Sequence, residues 1–373
     1  MCMQKDKKLH ILHVVASMNR GGAETFVMNI LRTIDRDNYR FYFLCFSNNH
    51  FDYEDEIEQL GGTIVRIPDI KDVGIIAYIR AIKSVIKKYQ INIVHAHTYY
   101  NSVFALIAAA RAGVSMRIAH SHCTQSEVNP PLKKRIYFTL ARFTIGLYAT
   151  EKIACAKDAG RALFGCRPFT VINNGIDLQK FAYSETIRRD IREAYNLPQD
   201  TTVLLNVARF YEVKNHNFIV DIFARYHKEQ PKSYLLLVGD GPLRTAVEAK
   251  VAQLGLSRYV IFTGVVADTE KMYSAADVFV MPSFFEGLPV VLVEAQANRL
   301  PCVVSDTIDP DVKMSTRMAF ASLGHGATSW VSEVSRAVRK GRADVVADEL
   351  RYQYDINHIT NQLVNIYKGV LDG

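Results

Sequence analysis

Short apolar runs alternate along this chain with stretches in which apolar residues recur every three to four positions. Residues 9–16 read as a strand and 22–33 as a helix. Residues 41–46 and 63–67 follow as strands, 75–88 as a helix, 91–97 as a strand, 102–112 as a helix and 116–122 as a strand. Residues 136–148 are predicted helical, and 152–156 and 169–173 end the series as strands. Such alternation predicts a parallel sheet covered by helices on both faces.

A charged, polar stretch from 174 to 200 interrupts the pattern and holds one short predicted helix, 186–195. A second alternating series then begins, with strands at 202–208, 234–239, 260–263, 278–282 and 302–305. Near the end, Ile359, Leu363, Ile366, Tyr367 and Val370 stand at helical spacing. With 373 residues the chain exceeds what one core usually supports. The expectation is α/β: two doubly wound Rossmann-like domains facing a cleft, at 1–180 and 181–355, followed by a terminal helix over 356–373. No repeats or low-complexity tracts break this plan.

Composition fits a globular protein, with 49% hydrophobic and 22% charged residues. No apolar run reaches membrane-spanning length, and the first eight residues are short, polar and followed at once by a strand. The cysteines at 2, 45, 123, 155, 166 and 302 show no C-x-x-C spacing, and several sit in apolar runs. A cytoplasmic setting follows, with no zinc site and no disulfide framework. Net charge is +7 and uneven: residues 1–180 hold 24 Lys and Arg against 15 Asp and Glu, residues 181–373 hold 21 against 23. A basic first half suits an acidic partner or an anionic membrane surface as well as it suits ordinary surface charge. Residues 132–143 mix bases with aromatics at helical spacing. They could rest peripherally on such a membrane; an amphipathic core helix with a solvated face is the reading favoured slightly.

The chemistry is densest in residues 282–295, PSFFEGLPVVLVEA. Glu286 and Glu294 stand eight apart, the first in the loop after an apolar strand, the second about two turns into the next helix. Gly287 allows backbone N–H groups to approach an anion. A carboxylate at 294, inside an apolar run, needs a polar partner such as ribose hydroxyls. This segment closely resembles the signature of retaining glycosyltransferases of family 4, which have the GT-B fold and use nucleotide-activated sugars. The resemblance assigns Glu286 to the donor sugar, Glu294 to the ribose, and Gly287 and Leu288 to donor binding. It also implies that the terminal helix returns to the first domain.

Residues 206–215, NVARFYEVKN, place Arg209 and Lys214 five apart across a strand–loop–helix junction, where both can reach one anion. Two fixed cations there would stabilise a leaving diphosphate whose charge grows at the transition state. Family 4 enzymes resemble this, with Arg and Lys on the diphosphate, although Ala208 replaces the family's usual Gly. Gly241, in the glycine-bearing loop at 239–241, is assigned to backbone packing by the nucleotide, and Val265 to the segment whose main chain reads the base.

Gly21 and Gly22 precede a predicted helix N-terminus and suit close approach of a phosphate or sugar. The dinucleotide pattern G-x-G-x-x-G is absent, and Cys45-Phe46-Ser47 stands where an acidic residue would follow strand two, which disfavours a nicotinamide cofactor. The resemblance places both glycines at the donor–acceptor interface. It also puts a strand-end His on the donor sugar, with His122 ranked before His120; side chains two apart on a strand share a face, so one of the two is expected to be structural. His95 and His97 end the preceding strand, with His97 a cleft-lining candidate. A zinc site would need more convergent ligands. Asn174, in the N-N-G-I-D segment at 173–177, is a further cleft candidate at an expected domain hinge.

The function implied is a retaining hexosyltransferase moving sugar from a nucleotide diphosphate, UDP before GDP, to a saccharide or lipid-linked acceptor, as in capsule or exopolysaccharide assembly. It needs neither cofactor nor metal, and nucleic acid is not expected as a partner. A nucleotide-sugar epimerase of the same fold and a non-catalytic partner subunit are the alternatives.

Overall fold

The structure is a computed structural model that describes residues 8–123, 131–286, 289–343 and 346–370. The chain divides into two compact units: Met1–Ile176 with Ile356–Gly373, and Asp177–Asp355.

The first unit contains β1 (Leu9–Val14), α1 (Gly22–Thr33), β2 (Tyr39–Cys45), α2 (Glu54–Gln59), β3 (Thr63–Arg66), α3 (Ile70–Lys88), β4 (Ile93–Ala96), α4 (Ser102–Ala112), β5 (Met116–Ser121), α5 (Leu132–Tyr148), β6 (Glu151–Ala154), α6 (Lys157–Phe164) and β7 (Thr170–Val171). The second contains α7 (Glu185–Ala194), β8 (Thr202–Val207), α8 (His216–Glu229), β9 (Ser233–Val238), α9 (Arg244–Gln253), β10 (Val260–Gly264), α10 (Thr269–Ala275), β11 (Val278–Met281), α11 (Val290–Ala297), β12 (Cys302–Ser305), β13 (Met318–Ala321), α12 (Gly326–Lys340) and α13 (Asp348–Tyr354). The last helix, α14 (Ile356–Lys368), belongs to the first unit.

Both sheets are parallel, in the order β3-β2-β1-β4-β5-β6-β7 and β10-β9-β8-β11-β12-β13. Parallel strands are buried on both faces, which explains their near-continuous apolar sequences. Period two still decides which core each residue joins. In the first unit Ile11, Phe41, Phe43, Ile93 and Ile118 face one core with Phe26 of α1 and Leu363 and Tyr367 of α14. Leu12, Tyr42, Leu44 and Val94 face the other, with Ile82 of α3 and Ala105 of α4. In each sheet the strand order reverses at one point, between β1 and β4 and between β8 and β11. Ligands of open α/β sheets bind outside the carboxyl ends of strands at such points.

Several element bounds differ from expectation. α3 starts at Ile70, where Asp69 caps by accepting a hydrogen bond from Lys71 N, and breaks at Gly74, φ 75°. The expected start at 75 marks only its second segment. α5 begins at Leu132, four residues early, because Pro131 precedes an uninterrupted helical run. Glu294 lies just over one turn into α11, not two, since Pro289 delays that helix to Val290. β13 carried only four residues and was not expected.

Candidate functional site

At the switch point of the second unit, the loops leaving β8 and β11 are stitched together. Phe284 N donates to Val213 O at 2.9 Å. Asn215 Nδ2 donates to Pro282 O at 3.1 Å, and buried Asn206 Nδ2 donates to Val280 O at 2.8 Å. Asn215 adopts the left-handed conformation, φ 55°, to turn the chain into α8. These bonds bring Lys214 Nζ to 2.5 Å from Glu286 Oε1, an ion pair with only 23% and 10% of the two side chains exposed. Arg209 is exposed, and its guanidinium makes no ion pair among the described residues. Tyr211, Phe284 and Phe285 are exposed beside these groups. Gly287 and Leu288 lie outside the described residues.

Two further loops meet this junction. Gly241, φ 156°, lies so close to the main chain of Phe210 that a Cβ would stand 2.8 Å from Phe210 N and 2.9 Å from its O. Phe210 N donates to Asp240 O at 3.0 Å, and Leu243 N to Phe210 O at 3.1 Å. Phe210 in turn stacks on His216, ring centroids 4.0 Å apart. Burial, with Lys214 nearby, pushes the His216 imidazole down to about 4. Val265, just beyond β10, is exposed.

Glu294 accepts a hydrogen bond from Tyr273 Oη at 2.6 Å. Part of its surface stays open, yet the dense surroundings desolvate the carboxyl and push it up to about 7; the Tyr273 bond and Lys180 oppose this, and Glu270 adds to it. The sequence argument asked for a polar partner at 294. Tyr273 is one from within the fold, and no sequence signal tied residues 21 apart on separate helices.

In the first unit the strand-end histidines form a buried ladder. His13 on β1, His95 and His97 at the end of β4, and His120 and His122 at the end of β5 share one sheet face, because each pair is two residues apart and β1 pairs His13 with His95. Two hydrogen-bonded rows result. Tyr367 Oη meets His95 Nδ1 at 2.9 Å, and His95 Nε2 meets His120 Nδ1 at 3.1 Å. His13 Nδ1 meets His97 Nε2 at 3.0 Å, and His97 Nδ1 meets His122 Nε2 at 2.9 Å. His120 and His122 stack at 4.0 Å, but His120 is fully buried and only His122 retains partial exposure. Burial keeps every ring neutral, pushing His13 down to about 3 and His122 to about 4. Asn174 favours the charged form of His122 a little, although neither His122 Nδ1 nor Asn174 Oδ1 completes a hydrogen bond of ordinary length.

His13 and Tyr367 were missed from sequence; they join the ladder only through strand order and α14. Ring nitrogens of His13, His95 and His97, and of His97, His120 and His122, lie within 4.8 Å of one another. The convergence that sequence spacing could not supply is therefore present, with neutral imidazoles that are ligands by type. Gly21 caps α1 and Gly22 is its first residue, with open space where a Gly22 Cβ would stand.

Residues 20–180 match Glycosyltransferase Family 4, and residues 187–311 match Glycosyl transferases group 1. EpsF of Bacillus subtilis, named as a glycosyltransferase, is 37% identical over 370 residues, 96% of each chain. This chain belongs to glycosyltransferase family 4. The first matched segment carries the Gly21-Gly22 loop and four of the ladder histidines; the second carries Arg209, Lys214, Glu286 and Glu294. An Escherichia coli UDP-Gal:α-D-GlcNAc-diphosphoundecaprenol α-1,3-galactosyltransferase is 27% identical over 319 residues, 80% of each chain. Anabaena Alr3699/HepE, solved in complex with UDP, superposes with a TM-score of 0.78 over 97% of this chain and 100% of its own at 18% identity. At that identity the likeness shows the fold, which is GT-B.

Among the described residues no helix is long and apolar enough to cross a membrane.

Proposed function

We propose that this family 4 member transfers a hexose from a UDP-sugar, with retention at the anomeric carbon, to a saccharide or lipid-linked acceptor in glycan assembly. The observation that carries the reading is the partly buried Lys214–Glu286 pair at the switch point of the second unit, with Arg209 exposed on the same loop. The galactosyltransferase relative, whose name specifies a UDP-sugar and a diphosphoundecaprenol acceptor, supports the substrate class.

Arg209 and Lys214 hold the diphosphate. Its charge grows as the anomeric C–O bond breaks, so fixed cations favour the transition state over the bound donor. Glu286 fixes the Lys214 ammonium and accepts from donor-sugar hydroxyls. Glu294 takes the ribose, Gly241 lets its loop pack against the Phe210 main chain beside the nucleotide, and the main chain at Val265 meets the base. His122, neutral and at the exposed end of its row, contacts the donor sugar, with Gly21, Gly22, His97 and Asn174 as supporting groups. The acceptor oxygen forms its bond to the anomeric carbon on the face that the phosphate leaves, and the departing phosphate oxygen takes the acceptor proton. Two protein cations neutralise the leaving group, so the reading needs no metal; transfer that persists in a chelator would accord with it, and loss restored by a divalent ion would contradict it.

Product stereochemistry tests the reading. An α-linked donor should give an α-linked product by the NMR coupling of its anomeric proton. A β-linked product would overturn front-face attack while leaving the fold untouched.

A further inference from the structure

In the row His13–His97–His122, the place of one proton fixes the places of the other two. The row runs diagonally from β1, past the end of β4, to the residue after β5, toward the carboxyl ends where open sheets bind ligands. His13 Nδ1 meets His97 Nε2, and His97 Nδ1 meets His122 Nε2. Burial keeps all three rings neutral. A neutral imidazole has one N–H and one bare nitrogen, so it donates at one end and accepts at the other. Two hydrogen bonds among three such rings therefore allow two arrangements. Either every proton sits on Nδ1 and the row ends in an N–H on His122, or every proton sits on Nε2 and it ends in an N–H on His13.

The two ends of the row decide between them. At one end His13 Nε2 is buried and unpartnered, beside the rings of Phe41 and Phe43. At the other, His122 Nδ1 and the carbonyl Oδ1 of buried Asn174 are both unpartnered, and Asn174 stands near enough to favour a proton on His122. With the protons on Nε2, three groups go unmet: an N–H on His13, a bare nitrogen on His122 and the Asn174 carbonyl beside it. With the protons on Nδ1, the His122 N–H and the Asn174 carbonyl answer each other, and only the bare His13 Nε2 is unmet. Each buried polar group left unmet costs its desolvation, so the second arrangement prevails. Without the Asn174 carbonyl, either arrangement leaves one N–H and one bare nitrogen unmet, and the bias disappears.

We propose that Asn174 is a positioning residue that orders the protons of the whole row and so fixes His122 as a hydrogen-bond donor at Nδ1. Its use in transfer rests on the reading of His122 as a contact to the donor sugar; the proton order itself does not. The contact with Asn174 falls short of an ordinary bond, so the N–H can be shared with a sugar oxygen, with no change of charge on His122. Long-range proton–nitrogen NMR correlations on the full chain, labelled with nitrogen-15 at its histidines, test the proposal, since they distinguish rings protonated at Nδ1 from rings protonated at Nε2. His13 and His122, each assigned by its own substitution, should both carry the proton on Nδ1. Asn174→Leu, nearly isosteric, should bring a second, Nε2-protonated population onto both rings, although His97 and His122 separate His13 from residue 174. A packing role for Asn174 would disturb His122 alone. In transfer assays His122→Asn, whose amide N–H stands near the place of Nδ1–H, should keep about tenfold more activity than His122→Gln, whose amide reaches toward the place of Nε2. An Nε2-protonated His122 in the unsubstituted chain, or a folded Asn174→Leu variant that keeps the proton order, would overturn the proposal. If that variant does not fold, the order in the unsubstituted chain decides. Equal losses in His122→Asn and His122→Gln would remove the donor role at the sugar. Absence of transfer by the unsubstituted protein would count against the sugar-transfer reading and leave the proton order standing.

Discussion

Lys214 Nζ and Glu286 Oε1 stand 2.5 Å apart although 72 residues separate them. They meet because β8 and β11 are neighbours at the one place where the strand order of the second sheet reverses. The pair holds a cation in a fixed place, which on the proposed reading is the preorganisation that electrostatic stabilisation of a leaving diphosphate requires.

Replacing Lys214 with Ala should therefore lower kcat by about 10²–10³, the usual cost of removing one preorganised stabilising group. Glu286→Gln should lower it less and should weaken the effect of Lys214→Ala in a double-mutant cycle. Initial rates with purified variants, checked by circular dichroism for folding, decide the matter. Near-normal turnover of Lys214→Ala would remove the ion pair from the mechanism.

Glu294 titrates near neutrality, so its charge is set by ordinary changes of pH. Its carboxyl is held at about 7 in the free protein, and hydroxyls donating to it, as in the proposed ribose contact, favour its ionised form. UDP affinity should thus rise by up to about tenfold between about pH 6 and about pH 8 from this group. Calorimetry on wild type and Glu294→Gln separates it from the ionisation of UDP, which both proteins share. Tyr273→Phe removes the hydrogen bond that favours the carboxylate and should move the transition to higher pH. Parallel profiles for wild type and Glu294→Gln would show that the residue does not touch the nucleotide.

The imidazole ladder makes the first unit acid-sensitive. His13 and His122 stay neutral in the folded unit down to about 3 and about 4, from an ordinary value of 6.5. Unfolded chains take up those protons below about 6.5. The unfolded state then binds more protons, so stability falls as pH falls through that window and is fully present above it. Each of these two histidines costs about 1.4 kcal/mol per pH unit below its unfolded value. Urea midpoints should drop steeply between about pH 6.5 and about pH 4, and His13→Phe, beside Phe41 and Phe43, should flatten the slope. A midpoint that does not move would contradict the buried neutral ladder.

Two glycines separate packing from chemistry. Gly241→Ala puts a Cβ against the Phe210 main chain at positive φ and should lower the melting temperature, at a cost of about 1–3 kcal/mol. Gly22→Ala meets nothing within 4 Å at the start of a helix and should leave stability unchanged or slightly raised. If Gly22 lies at the donor, the same variant should lose activity; full activity would assign it to helix geometry alone.

Element types were legible from local pattern, because apolar runs of strand length and helical spacing are properties of neighbours in sequence. Boundaries slipped where a single residue intervened, as at Gly74, Pro131 and Pro289. The family, too, could be read locally: Arg209, Lys214, Glu286 and Glu294 stand at fixed spacing within two short segments, and the matched segments span both. What pairs with what could not be read. Lys214 finds Glu286, Glu294 finds Tyr273, and His13 finds His97 through strand order and helix placement, which depend on long-range burial rather than on adjacent residues. The same holds for α5. Its sequence shows apolar residues all round, but only packing of Ala141 and Ile145 into the first unit decides which of its faces is left outside.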